Sequence, residues 1–239
     1  LKNEAARKLH RQNDFMFDSE SMNLLYSGSR NQLVVPLGAL HAPIFFEDGP
    51  VAYNYGALGS MFGHTLLHAI DLGGMAVTDD GRGTYDMKDD FIKFYKGRLP
   101  CLRRLLNDTK SQVPGFDPNT PGLHRIHDSE NLASVEGTRV AYMAFRKATN
   151  GLRDPKMPWT HPDHGGYNAE QLFFVAHCAP LCRFKEERTG LGENLGRSRC
   201  LRPLMNMREF ADAFHCPKGS FMNPPDKCTI FDYVDGDSK

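Results

Sequence analysis

Apolar positions in this chain fall mostly in helical register. Leu58, Phe62, Leu66 and Ile70 recur every fourth residue, which predicts a helix over 56–71 with those side chains available for the core. Lys88 to Leu106 reads as a second helix, interrupted at Pro100. Ser129 is placed to cap a helix running to about Lys147. Asn168 with Gln171 has the capping-box pattern and opens a helix containing Leu172, Phe173 and Phe174. Asn206 with Glu209 gives the same signal for a last helix through Phe214. A short β-prone run, Gln32-Leu33-Val34-Val35, stops at Pro36 and suggests a strand end or edge. Residues 41–50, 111–122, 148–167 and 183–199 are rich in Pro, Gly or charge and read as loops, and 1–20 as the end of a helix and a loop. No repeat, low-complexity segment or linker divides the chain, so the pattern predicts one mainly helical α+β domain over 1–239.

Composition narrows the class. Apolar residues make up 40% and charged residues 24% of 239, as in a folded protein that can bury a substantial core. Lys+Arg and Asp+Glu are both 29, so no net charge draws the chain to nucleic acid or to an anionic membrane. No window approaches 18 uninterrupted apolar residues, hence no membrane span is expected. The chain opens at Leu1 and reads as a fragment, or as a processed chain without its amino-terminal part. Six cysteines, none in a C-x-x-C pair, suit disulfides and an oxidising compartment better than a zinc ribbon. The sequon Asn107-Asp108-Thr109 agrees with secretion.

The candidate chemistry lies in His64-Thr65-Leu66-Leu67-His68. Histidines at i and i+4 share one helix face and can hold one metal ion. The same spacing also occurs in pairs of ordinary polar or core histidines. The H-E-x-x-H motif carries a glutamate that takes a proton from metal-bound water; Thr65 stands in its place, and its hydroxyl does not ionise near neutral pH. A catalytic zinc needs a third protein ligand, usually from a later helix; Glu130 taken alone reads as a helix-start carboxylate favoured by the macrodipole. The pairs His124 with His127 and His161 with His164, at i,i+3 spacing in or beside Pro-rich loops, read as ordinary histidines in preference to a second metal site, and the acidic stretch 79–90 as a solvated face.

The context of the histidines is specific. Asn54-Tyr55-Gly56-Ala57-Leu58-Gly59-Ser60-Met61-Phe62-Gly63-His64, with Ala69-Ile70-Asp71 behind, resembles the N-Y-G-G-I-G-x-V-I-G-H-E-x-x-H-x-F-D signature of the neprilysin family of zinc metallopeptidases, which includes endothelin-converting enzyme. Glu130-Asn131 opens a match to its E-N-x-x-D motif, continued by Gly137, Ala141 and Tyr142. Gln171-Leu172-Phe173-Phe174, Phe214-His215-Cys216 and Met222-Asn223-Pro224 to Lys227-Cys228 match further along, so the resemblance covers about 22–231; Phe231 stands where the family ends on Trp.

The resemblance implies a thermolysin-like (zincin) domain with a small edge sheet and one zinc ion on His64, His68 and Glu130. It also implies damage. Thr65 replaces the base, Glu193 replaces the histidine that stabilises the oxyanion, and Ser134 replaces an aspartate that orients a ligand histidine. Asp71 keeps a family carboxylate, while Leu72 replaces the next one. Zinc is therefore expected to bind weakly or not at all. Arg199 aligns with an arginine that holds a substrate carbonyl, a surface arginine being the competing reading. Met22 to Gln32 resembles the family's substrate strand, in which Asn23 and Leu24 would pair with an extended peptide, Leu24 narrowing the groove where the family has Ala. Cys101 would bond to Cys228, and Cys182 and Cys216 to cysteines of an upstream lobe of the same protein; Cys178 and Cys200 lie off the pattern. The implied protein is extracellular, secreted or an ectodomain. It is an impaired metallopeptidase that binds zinc and peptides; the alternatives are an active metalloendopeptidase with a substitute base such as Glu193, or a metal-free interaction module.

Overall fold

The computed structural model describes residues 22–78, 89–110, 123–149, 166–182 and 195–231. Expectations for 1–20, 111–122, the acidic stretch before Asp89, Glu193 and the pair His161 and His164 lie outside them, as do the side chains of His124 and His127.

Strands β1 (Leu25–Ser27) and β2 (Gln32–Val34) pair antiparallel, Leu25 opposite Val34 and Ser27 opposite Gln32. The chain reverses through a 3-10 turn, Gly28–Arg30, closed by Asn31 at φ 48°. Asparagine tolerates this left-handed backbone, and its Oδ1 accepts the Tyr26 hydroxyl at 3.0 Å.

Helix α1 (Val51–Asn54) runs through a π-helical turn (Tyr55–Gly59) into α2 (Ser60–Leu67). Asn54 fixes the loop before it, donating to the Phe46 carbonyl at 2.6 Å and accepting the Phe46 amide at 3.0 Å. The predicted apolar stripe does not face the core: Phe62, Leu66 and Ile70 are 44%, 43% and 40% exposed. The buried positions of α2 are Ser60, Gly63, Thr65 and Leu67. The cause is a close helix crossing. A Cβ on Gly63 would strike the Gly137 carbonyl, and one on Gly137 would strike the His64 amide. Small residues must occupy that face, so the large ones turn outward. Gly56 makes a similar approach to the Phe173 carbonyl.

Helix α3 (Asp89–Lys110) continues through Pro100 instead of breaking there. Pro100 and Lys96, whose carbonyl loses its helical partner, are both exposed, so water can satisfy that oxygen. Helix α4 (Leu123–Ala148) begins before Ser129, which is therefore not its cap, and Glu130 is not a helix-start residue. Helix α5 (Ala169–Cys178) has the predicted capping box: the Gln171 amide donates to Asn168 Oδ1 at 2.8 Å and the Asn168 amide to Gln171 Oε1 at 3.1 Å. Helix α6 (Leu195–Met205) replaces the end of the loop expected over 183–199. Helix α7 (Arg208–Ala213) starts after Met207 without a side-chain cap, and Asn206 instead pairs with both backbone groups of Cys228.

Two apolar clusters support these elements. Tyr142 and Phe145 of α4 pack with Phe173 and Phe174 of α5 and Phe210 of α7. Leu67 of α2 packs with Leu99 and Leu102 of α3, Leu132 and Val135 of α4, and Ile230. Each buried Phe or Leu contributes about 1.5–3 kcal/mol. The disulfide Cys101–Cys228, the pairing that the resemblance implies, ties α3 to the carboxy-terminal segment. Among the described residues no helix is long and apolar enough to cross a membrane.

Candidate metal centre

His64 lies in α2 and His68 caps its C-terminal end. Their rings meet edge-on with centroids 5.1 Å apart. Along α4, Ser134 stands one turn before Gly137 and Glu130 two turns before it, so the glycine crossing brings both to the histidine face. One ligand atom each of His64, His68 and Glu130 lies within 4.8 Å of the others. The Glu130 oxygens are 3.5 Å from His64 Nε2 and 3.5 Å from His68 Nε2. Tetrahedral zinc, with bonds of about 2.0–2.2 Å, sets neighbouring ligand atoms about 3.4 Å apart. Two imidazoles and a carboxylate at this spacing fit zinc and leave a fourth position open.

The two histidines are held differently. His68 Nδ1 lies 3.0 Å from Asp71 Oδ2. Asp71 Oδ1 also accepts the amides of Gly73 and Gly74, each at 2.8 Å, and Oδ2 accepts the Ser129 hydroxyl. Burial pushes the Asp71 carboxyl up, but the bonds from His68, Ser129 and Gly74 hold it below its ordinary range. An ionised Asp71 makes His68 Nδ1 the donor and leaves the Nε2 lone pair facing Glu130. His64 Nδ1 instead meets the Ser134 hydroxyl at 3.3 Å. Its Nε2 is 2.7 Å from Arg199 Nη2, which also donates to Glu130 Oε2 at 2.6 Å. A guanidinium only donates, so His64 Nε2 is the acceptor and the network assigns its proton to Nδ1. Burial lowers the pKa of His64. Burial raises that of Glu130, but its neighbours, among them Arg199 donating to Oε2, outweigh it and hold the carboxyl down to about 2.

Thr65 is 4% exposed, and its hydroxyl donates to the Met61 carbonyl at 2.9 Å. That oxygen is committed to the helix backbone and carries no charge. Asn23 is exposed just before β1, whereas Leu24 is 8% exposed.

Four features went unread in the sequence. Ser129 supports Asp71 from within α4. Arg202, one turn after Arg199, donates to Asn131 beside Glu130, so α6 presents two arginines to two successive residues of α4. The one-turn spacing of the two arginines carries that meaning only on a helix, and 183–199 read as a loop. Cys178 and Cys200 form a disulfide linking α5 to α6 next to Arg199. His177 is buried near the backbone of Arg199 and Cys200, and neither ring nitrogen has a hydrogen-bond partner among the described residues. No sequence pattern pointed to the last two.

Known proteins resemble this chain. The sequence profile of Peptidase family M13 matches residues 23–230. Endothelin-converting enzyme 1 of Bos taurus is 29% identical over 232 residues, covering 94% of this chain and 29% of that protein. Neprilysin-3 of Drosophila melanogaster is 30% identical over 222 residues, covering 89% of this chain and 27% of its own length. The chain spans about three tenths of the curated relatives it matches. Among solved structures, the Mycobacterium tuberculosis zinc metalloprotease ZMP1 superposes with a TM-score of 0.71 at 20% identity, over 90% of this chain and 33% of that one, a likeness of fold. The profile match, the mainly helical fold with its small edge sheet and the His-His-Glu cluster agree: the chain belongs to Peptidase family M13, the neprilysin and endothelin-converting enzyme family of zinc metallopeptidases, and carries its catalytic domain.

Proposed function

We propose that this domain holds one zinc ion on His64, His68 and Glu130, engages extended peptides along β1 through Asn23, and hydrolyses them slowly or not at all. The observation that carries this reading is the fate of position 65. The metal-facing helix has a buried hydroxyl bonded to the Met61 carbonyl where hydrolysis needs an ionisable base. Bound zinc would polarise a peptide carbonyl and acidify a water. The residues around it supply less than the reaction needs. Glu130 and the two imidazoles offer ligand lone pairs, and Asp71 fixes one of the rings. Removing the general base costs about 10²–10⁴-fold in rate. Arg199 is bonded to Glu130 and His64, which keeps it from a substrate carbonyl until it moves.

Two disulfides support an extracellular setting. Cys182 and Cys216 are free in this chain and would pair with an upstream lobe of the same protein that completes the cavity.

The test is turnover of a short peptide by zinc-loaded protein, with metal content measured on the same sample. Zinc near one equivalent and no chelator-sensitive cleavage is the expected result. Cleavage at ordinary metallopeptidase rates overturns the impairment and favours the active alternative, with Glu193→Gln then asking whether that residue is the substitute base. Thr65→Glu should raise turnover by no more than about tenfold, because Ser134 and position 193 stay unaltered.

A further inference from the structure

Arg199 Nη2 lies 2.7 Å from His64 Nε2 and 2.6 Å from Glu130 Oε2, while those two atoms are 3.5 Å apart. The guanidinium nitrogen therefore sits between them. A zinc ion would need the same His64 lone pair and the same carboxylate oxygen at about 2.0–2.2 Å. The Nε2 lone pair is single, so it either accepts an N–H or binds a metal.

We propose that Arg199 is a built-in rival of the metal, its guanidinium and a zinc ion being mutually exclusive occupants of the His64–Glu130 pair. The inference rests on the metal reading above and adds its regulation: zinc enters as Arg199 swings out. The helix carrying Arg199 is fixed by three contacts. Cys200 is bonded to Cys178 of α5, Arg202 is hydrogen-bonded to Asn131 of α4, and Gly196 lies against the Leu181 carbonyl, where a Cβ would collide. The backbone thus holds its place while the long side chain is free to exchange partners. Charge decides the balance. Each added carboxylate attracts a divalent ion about twice as strongly as a guanidinium. Among the described residues, Ser134 offers His64 only a hydroxyl and the acids at the histidines are Glu130 and Asp71, so the contest tilts toward the monovalent group.

The experiment compares wild type, Arg199→Gln and Arg199→Lys. Zinc affinity is read by competition with a chromophoric chelator, and thermal melts are taken before and after zinc addition to chelator-dialysed protein. Arg199→Gln should bind zinc about tenfold more tightly, since a charge-assisted bond at a partly exposed site no longer opposes entry. Its metal-free melting point should fall while its zinc-induced rise grows. A merely structural arginine would lower both melts together, and that result overturns the proposal. Equal zinc affinity in wild type and Arg199→Gln, with wild type binding, overturns the rivalry and leaves the metal centre standing. No zinc binding by any of the three overturns both. Should Arg199→Gln not fold, Arg199→Lys decides, because loss of the planar fork should still tighten zinc by a smaller factor; no change overturns the proposal.

Discussion

The two halves of the centre are built from the same ring and differ in everything behind it. His68 is backed by an ionised carboxylate that itself accepts two amides and a hydroxyl. His64 is backed by one neutral hydroxyl at 3.3 Å and faced by a guanidinium. A carboxylate raises the basicity of the ring it orients, whereas a serine hydroxyl mainly orients it. The His68 half is thus preorganised for a metal, and the His64 half is the weak side through which affinity is set.

Acid gives the largest expected effect and acts behind the weak half. Burial pushes His177, under the backbone of Arg199, from 6.5 down to about 4. The unfolded chain takes up this proton first, so the contribution is fully present above about pH 6.5. It is lost as pH falls toward about 4, and the slope ends once the folded state is protonated too. At about 1.4 kcal/mol per unit the total is roughly 3 kcal/mol. Urea unfolding from pH 7 to 4 should show this slope in wild type and lose it in His177→Leu. An unaltered slope would mean that another group drives acid loss on this side.

Asp71→Ala comes next. It removes the orienting carboxylate of His68 and strands the partners it accepts, and zinc affinity should drop by about 100-fold. Ser134→Ala, on the other half, should cost only about two- to threefold, since a long bond to a neutral hydroxyl is lost. Chelator competition on both variants breaks the asymmetry if the two losses are equal.

That asymmetry was partly legible in the sequence. The spacing of His64 and His68, Glu130 inside its motif and the exchange of an acid for Ser134 all pointed to three ligands with a damaged support, and the structure brings those residues together. The Asn168 and Gln171 cap was legible because capping chemistry is local. What failed was long-range. Phe62, Leu66 and Ile70 read as core residues by periodicity, but the Gly63 and Gly137 contact, 74 positions apart in sequence, turns them outward. Ser129 and Asn206 read as caps by type, yet each is used across the fold, by Asp71 and by Cys228. Arg199 read as a substrate group or a surface charge. Neither composition nor spacing shows that a neighbouring helix aims it at two of the three ligands.

The smallest expected effect, no change in turnover, is the sharpest, because it comes from rebuilding the weak half in the image of the strong one. Ser134→Asp places a carboxylate against His64 Nδ1–H, from a position that is 6% exposed and already faces the ring. The added charge should favour a divalent ion over Arg199 and strengthen the ring as a ligand, raising zinc affinity by about tenfold. Turnover of a short peptide should stay unchanged, because Thr65 still offers no base to a water. Affinity and rate measured on one sample separate two deficits that are otherwise confounded, a poorly held metal and an absent proton acceptor. If zinc affinity rises and turnover rises with it, metal retention was the limiting deficit and the hydroxyl at position 65 is not what keeps this domain slow. If affinity does not rise, Ser134 already orients His64 as well as a carboxylate would, and the two halves are equivalent in function despite their different partners.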